Sequence, residues 1–168
     1  MKSVIRPVVT KVVGVIDRLN RIFEYAGIVI LTAMTTVVFV AIISRFFTGI
    51  SLSWIEESAT FAMAWICALG AGLISRRGGM TAIEIVVSHF SKRVEVALRV
   101  IAYLISMCFF VVMIIYGYQM AMVVSTQYAA TIPFMSLFWV YIAMPIGFVI
   151  VFLNTLAHIF DLVFEKEA

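Results

Sequence analysis

Charge is the scarcest property of this sequence. Between residues 100 and 160 there is no aspartate, glutamate, lysine or arginine, and only 12% of the 168 residues are charged against 64% that are hydrophobic. An ordinary soluble domain carries about twice that charge, so a soluble fold is excluded. Cysteine is nearly absent. Cys67 and Cys108 both fall inside apolar segments and form no C-x-x-C, so they read as reduced packing residues. The sequence also lacks a phosphate-cradling loop, a metal-ligand cluster and a nucleophile paired with a base. It therefore predicts no catalytic site, no cofactor and no metal. The net charge of +3 is modest, no nucleic-acid partner is expected, and the placement of the charges says more than their sum.

What the chain does have is long uncharged stretches. Eighteen uncharged residues separate Glu57 from Arg76, enough at ~1.5 Å per helical residue to cross most of a ~30 Å hydrocarbon core. The 61 residues from 100 to 160 are too many for one crossing and enough for two, with a turn near 127–133. A further apolar run extends from Tyr25 to Ser44. It is too long for the apolar region of a signal peptide, about 7–15 residues, so it reads as an uncleaved first span. Before it, Ile5, Val8, Val9, Val12, Val13, Ile16 and Leu19 recur near helical spacing opposite Arg6, Thr10, Asp17 and Arg18. Ile83, Val86, Val87, Phe90 and Val94 form a similar face opposite Glu84, Ser88, Ser91, Lys92 and Glu95. Both patterns fit amphipathic helices lying in the membrane interface.

The fold expected is thus an all-α integral membrane protein, one membrane domain over residues 1–168. Its transmembrane helices fall at about 25–47, 54–75, 95–125 and 133–162, and interfacial helices at about 3–21 and 81–93. The last two spans exceed a perpendicular crossing, which predicts tilt. Orientation follows from basic residues in short loops. The N-terminal segment and the second loop hold ten of the twelve lysines and arginines, which predicts both termini inside. Arg76, Arg77, Lys92 and Arg93 would then be cytoplasmic interfacial anchors, and Trp54, Tyr128, Trp139 and Tyr141 an outer aromatic belt.

Three groups of residues are candidates for interaction. Ser53-Trp54-Ile55-Glu56 has the spacing of a capping box, in which Glu56 returns a hydrogen bond to the cap amide. Capping does not account for Glu57 beside it, or for Arg45 across the first loop. Arg45, Glu56 and Glu57 fit either a local ion pair or part of a docking surface for a periplasmic partner. Ala64, Ala68 and Gly72 recur every four residues, with Ala62, Ile66 and Gly70 alongside. Such a face lets helix backbones approach closely, either within this chain or against another subunit. His89 and His158 are the only histidines and read as interfacial, because haem ligation needs histidines on facing helices. Gln119 and Asn154 are isolated polar residues in spans, read as helix–helix contacts. Pro145 removes a backbone hydrogen bond and predicts a kink in the fourth span.

The run R-F-F…W-I-E-E-S-A…W-I-C-A-L-G-A-G…R-R-G-G-M-T-A-I-E, with T-I-P-F-M…Y-I-A-M-P-I-G between Thr131 and Gly147, resembles the small membrane subunit (DctQ type) of tripartite ATP-independent periplasmic, or TRAP, transporters. In that family the pattern is an arginine closing helix one, W-x-E-E opening helix two, L-G-A-A near its end, then R-x-G-H-I-x-V-D. Here Met80-Thr81 stands where His-Ile is common and Glu84 where Asp is common, so no role is carried to that position. The resemblance implies a non-catalytic subunit of a bacterial inner membrane, working with a large elevator-type subunit (DctM type) that carries the substrate and sodium sites. A soluble periplasmic protein would capture an organic acid such as sialic acid or a C4-dicarboxylate. On this reading Arg45, Glu56 and Glu57 help dock the periplasmic protein, and Ala64, Ala68, Gly72 and Gly70 pack against the large subunit. Two other readings of the residues stay open: a haem-bearing anchor of a respiratory complex, which would show a Soret band, and a small exporter that transports alone.

Overall fold

The computed structural model describes residues 2–49, 52–76 and 92–165. Among these residues four helices are long and apolar enough to cross a bilayer, at Val13–Thr48, Ser53–Arg76, Ala97–Thr126 and Phe138–Ile159. Helix α1 spans Lys2–Thr48, α2 Ser53–Arg76 and α3 Lys92–Val123, with one 3₁₀ turn at Val124–Thr126. A single helical turn, α4 (Phe138–Tyr141), leads into α5 (Ala143–Glu165).

Helix α1 departs from the sequence expectation of a surface helix followed by a separate span. Its 47 residues form one helix, about 70 Å long at 1.5 Å per residue. The reason is local. No proline or cap separates Arg21 from Tyr25, and Pro7 falls near the start of the helix, so nothing interrupts the backbone ladder where the pattern changes from amphipathic to uniformly apolar. The chain leaves α1 at Gly49, whose φ of +69° is a left-handed conformation that suits glycine, and whose N–H donates to the Arg45 carbonyl at 3.0 Å. The interfacial helix expected at 81–93 lies largely outside the described residues, as does Arg77; Lys92 and Arg93 open α3.

Helix α5 is the centre of the bundle and touches α1, α2 and α3. The most apolar window of its span is 44% buried, against none of that of α1. Most of α1 therefore faces lipid or another protein. The α2–α5 contact is built on small residues. A Cβ added at Gly147 would lie 2.9 Å from the Ala68 Cβ and carbonyl oxygen, and one at Gly72 would overlap the Ile150 Cγ2. These glycines permit backbone approach closer than any side chain allows, which is how membrane helices gain packing energy without a hydrophobic driving force. Between α3 and α5, Phe148 meets Phe109 edge-to-face and Phe110 at a tilt, at centroid distances of 6.1 and 6.0 Å.

Pro145 interrupts the fourth span near its beginning. It has no N–H for the Tyr141 carbonyl four residues back, and the helix breaks at Ile142, between α4 and α5. Because Pro145 sits in the first turn of α5, where amide donors lack intrahelical partners anyway, the rest of α5 runs on unbroken.

A polar clamp joins three helices midway along α5. Asn154 is fully buried. Its amide oxygen accepts from Asn20 Nδ2 at 2.6 Å, and its Nδ2 donates to Asn20 Oδ1 at 3.0 Å and to the Gly72 carbonyl at 2.7 Å. One turn further on, His158 Nε2 lies 2.9 Å from the Ser75 carbonyl oxygen and 3.0 Å from that of Arg76. Both are acceptors, so Nε2 carries a proton and satisfies the last carbonyls of α2. Asp17 accepts from Arg76 Nε at 2.8 Å, fixing α1 to the same helix end.

Candidate interaction site

The sequence candidates Arg45, Glu56 and Glu57 come together at the α1–α2 turn, but they do different things. Helix α2 starts at Ser53, and Ile55 N–H donates to the Leu52 carbonyl at 3.0 Å. The first turn is thus closed from Leu52, one residue earlier than a capping box on Ser53 requires. Glu56 instead faces Arg45. Their nearest N–O distance is 3.9 Å, and the side chains are 73% and 67% exposed. At that distance the pair attracts without a hydrogen bond.

Glu57 points the other way, into the connection between α3 and α4. One carboxylate oxygen accepts from the Ala130 N–H at 2.9 Å, the other from the Thr131 N–H at 2.7 Å and from the Thr131 hydroxyl. The connection it holds is a compact hairpin, where the sequence predicted a simple turn and an earlier start to the fourth helix. Tyr128 and Ser136 pair as an antiparallel bridge, Ala129 N–H donates to the Met135 carbonyl at 2.9 Å, and Leu137 N–H donates to that of Gln127 at 3.0 Å. The Ser136 hydroxyl donates to the Ser125 carbonyl at 2.8 Å, tying the hairpin to the 3₁₀ turn that follows α3. Beneath it, Phe61 of α2 packs with Ala129 and Ile132, flanked by Met135, Leu137 and Val140. Trp65 Nε1 donates to the Trp139 carbonyl at 3.0 Å, a second tie from α2 to the chain just past the hairpin.

The tip of this hairpin is apolar and exposed. Phe134, after Pro133, is 88% exposed, and Tyr128 and Trp139 are also exposed. The hairpin is hard to read from the sequence because the ties that anchor it to α2, Glu57 to Thr131 and Trp65 to Trp139, each cross more than seventy positions.

The small-residue face of α2 is also divided. Ala68 and Gly72 are taken up by Gly147 and Ile150 of this chain. Gly70 has nothing within 4 Å of its added Cβ. Ala64, Cys67, Ala68 and Ala71 form one wall of an open furrow of 310 Å³ whose other wall includes Ala143, Gly147 and Val151. On the far side of α2, a furrow of 320 Å³ lies between α1 and α2 with Arg45 and Glu56 among its lining residues.

Among the described residues, no group of three or more His, Cys, Asp or Glu side chains is placed to hold a metal ion. A family model described as tripartite ATP-independent periplasmic transporters, DctQ component, matches residues 34–165 of the chain. No curated protein matches it.

Proposed function

The chain belongs to the DctQ component family of TRAP transporters, and from that premise we propose that it is the fixed scaffold of a sodium-driven importer of organic acids, in the sialic acid or C4-dicarboxylate class. As a DctQ component it is a multi-pass protein of the inner membrane and one part of a three-part transporter. In the proposed arrangement the large membrane subunit carries substrate and sodium. This chain braces it and offers part of the surface on which the periplasmic binding protein lands. Both termini face the cytoplasm, as the distribution of basic residues favours.

The observation that carries this reading is where the polar groups are. Coupling sites in secondary transporters lie near the bilayer midplane, in broken helices with ionisable side chains. Here Asp17 and Arg76 sit at one end of the bundle and Arg45, Glu56 and Glu57 at the other, while the buried clamp is made of neutral amides. That pattern suits a rigid support. The docking surface is the Glu57-held hairpin, with Arg45 and Glu56 at its edge. Glu57 acts through the hairpin it fixes.

The large subunit packs on the open furrow lined by Ala64, Cys67 and Ala71, next to Gly70. Ala68 and Gly72 support that furrow from inside by letting α5 approach. Co-purification in mild detergent tests the assignment. A tagged large subunit should retain the wild-type chain and lose Ala64→Trp, which fills the furrow. Equal recovery of the two would remove the furrow from the interface.

A further inference from the structure

We propose that the furrow between α1 and α2 is a phospholipid site that selects a phosphoethanolamine head. Its two walls are matched. Val38, Ala41, Ile42 and Arg45 line it from α1, and Leu52, Ile55, Glu56 and Ala59 from the chain entering α2. Within each set the spacing is three, four and seven residues, so each forms one continuous helical stripe. The stripes run antiparallel, which puts Val38 and Ala59 at the deep end and Arg45 and Leu52 at the mouth, with Glu56 one turn inside Leu52 and its carboxylate turned to Arg45. The deep end is therefore wholly apolar, and a cation and an anion stand side by side toward the mouth. A lipid lying along a helix pair has the same order, acyl chain inward and charged head outward.

The charges at the mouth choose among heads. The Arg45 guanidinium presents a planar fork of donors suited to a phosphate. Glu56 offers two acceptor oxygens, and Glu57, next in sequence, is committed to the hairpin. Arg45 and Glu56 stand 3.9 Å apart, close enough to define one site and too far apart to satisfy each other. A phosphoethanolamine head offers a hydrogen-bonding partner to each, a phosphate for Arg45 and an N–H-bearing ammonium for Glu56. Phosphatidylcholine has the phosphate but no N–H to donate, and phosphatidylglycerol has the phosphate but no cation. Phe46, Phe47 and Trp54 are exposed at the same end, and tryptophan is a residue that membrane–water interfaces collect. With the head in place the periplasmic partner meets the hairpin beside a bound lipid.

Native mass spectrometry of the full chain, titrated with dioleoyl phosphatidylethanolamine, phosphatidylcholine and phosphatidylglycerol, tests this. Wild type should retain the ethanolamine lipid roughly tenfold better than the other two, the factor that about 1.4 kcal/mol corresponds to. Glu56→Gln should bring ethanolamine retention down to the choline level, and Arg45→Gln should lower retention of all three. Ala41→Phe, which fills the furrow and leaves both charges in place, should displace all three. Equal retention of the three lipids by wild type overturns the proposal, as does an ethanolamine preference that survives both charge substitutions. Uptake is not read in this assay, so its outcome is separate from that of the transporter reading.

Discussion

Replacing Asn154 by leucine should destabilise the chain by about 2–4 kcal/mol, and the size of the effect follows from what the amide touches. Asn154 is fully buried and makes three hydrogen bonds, to both polar atoms of the Asn20 amide and to the Gly72 carbonyl. Interhelical polar contacts in membrane proteins average about 0.6 kcal/mol and reach about 1.7. Leucine keeps most of the volume, so the loss is polar rather than a cavity. It leaves Asn20 as a buried amide with both bonds unmade, and that orphan is the larger cost. The Gly72 carbonyl keeps its place in the α2 ladder and loses less. The double substitution Asn20→Leu with Asn154→Leu removes both partners and should recover about 1–2 kcal/mol relative to the sum of the singles. Reversible unfolding in mixed detergent micelles, followed by tryptophan fluorescence, measures all three variants. Additivity of the two singles to within about 0.5 kcal/mol would mean that the amides are not coupled, and the account of the clamp would fail.

Other outcomes follow from the same contacts. Gly147→Ala places a Cβ 2.9 Å from the Ala68 carbonyl oxygen and should cost about 1–3 kcal/mol in the same unfolding assay. Gly70→Ala meets nothing and should be neutral or stabilise by up to about 1 kcal/mol, since alanine is the better helix former. Glu57→Gln weakens the tie to the hairpin, so amide hydrogen exchange should quicken at Ala130 and Thr131 and stay unchanged in the middle of α5. Unchanged protection of those two amides would show that the hairpin holds itself. Asp17→Asn should shift stability by less than about 1 kcal/mol, because the Arg76–Asp17 pair is half exposed on the carboxylate side.

Much of the architecture is legible in the sequence because charge is costly in lipid. The empty interval from 100 to 160 and the uncharged stretch after Glu57 announce spans by exclusion. The small residues at 68 and 72 announce close helix contact, but not with what, because a glycine face looks alike whether it meets Ile150 or another subunit. Asn154 stands out as a polar residue in a span. Its partner does not, because Asn20 lies in a segment that reads as amphipathic and interfacial, and only the continuity of α1 carries it inward. The hairpin was the least legible part. Its eleven residues, 127–137, carry no charge, so they merge with the spans on either side, and the clamp that shapes them comes from Glu57 on another helix.

The central claim is that this chain supports transport without performing it. Reconstitution in liposomes with an imposed sodium gradient tests that directly, using this chain, the large membrane subunit and the periplasmic binding protein, together and with each left out. The scaffold account predicts uptake of the organic acid when all three are present. It predicts none from this chain alone, and a marked loss when this chain alone is omitted. Sodium-dependent uptake by liposomes holding only this chain, or full uptake without it, would contradict the account.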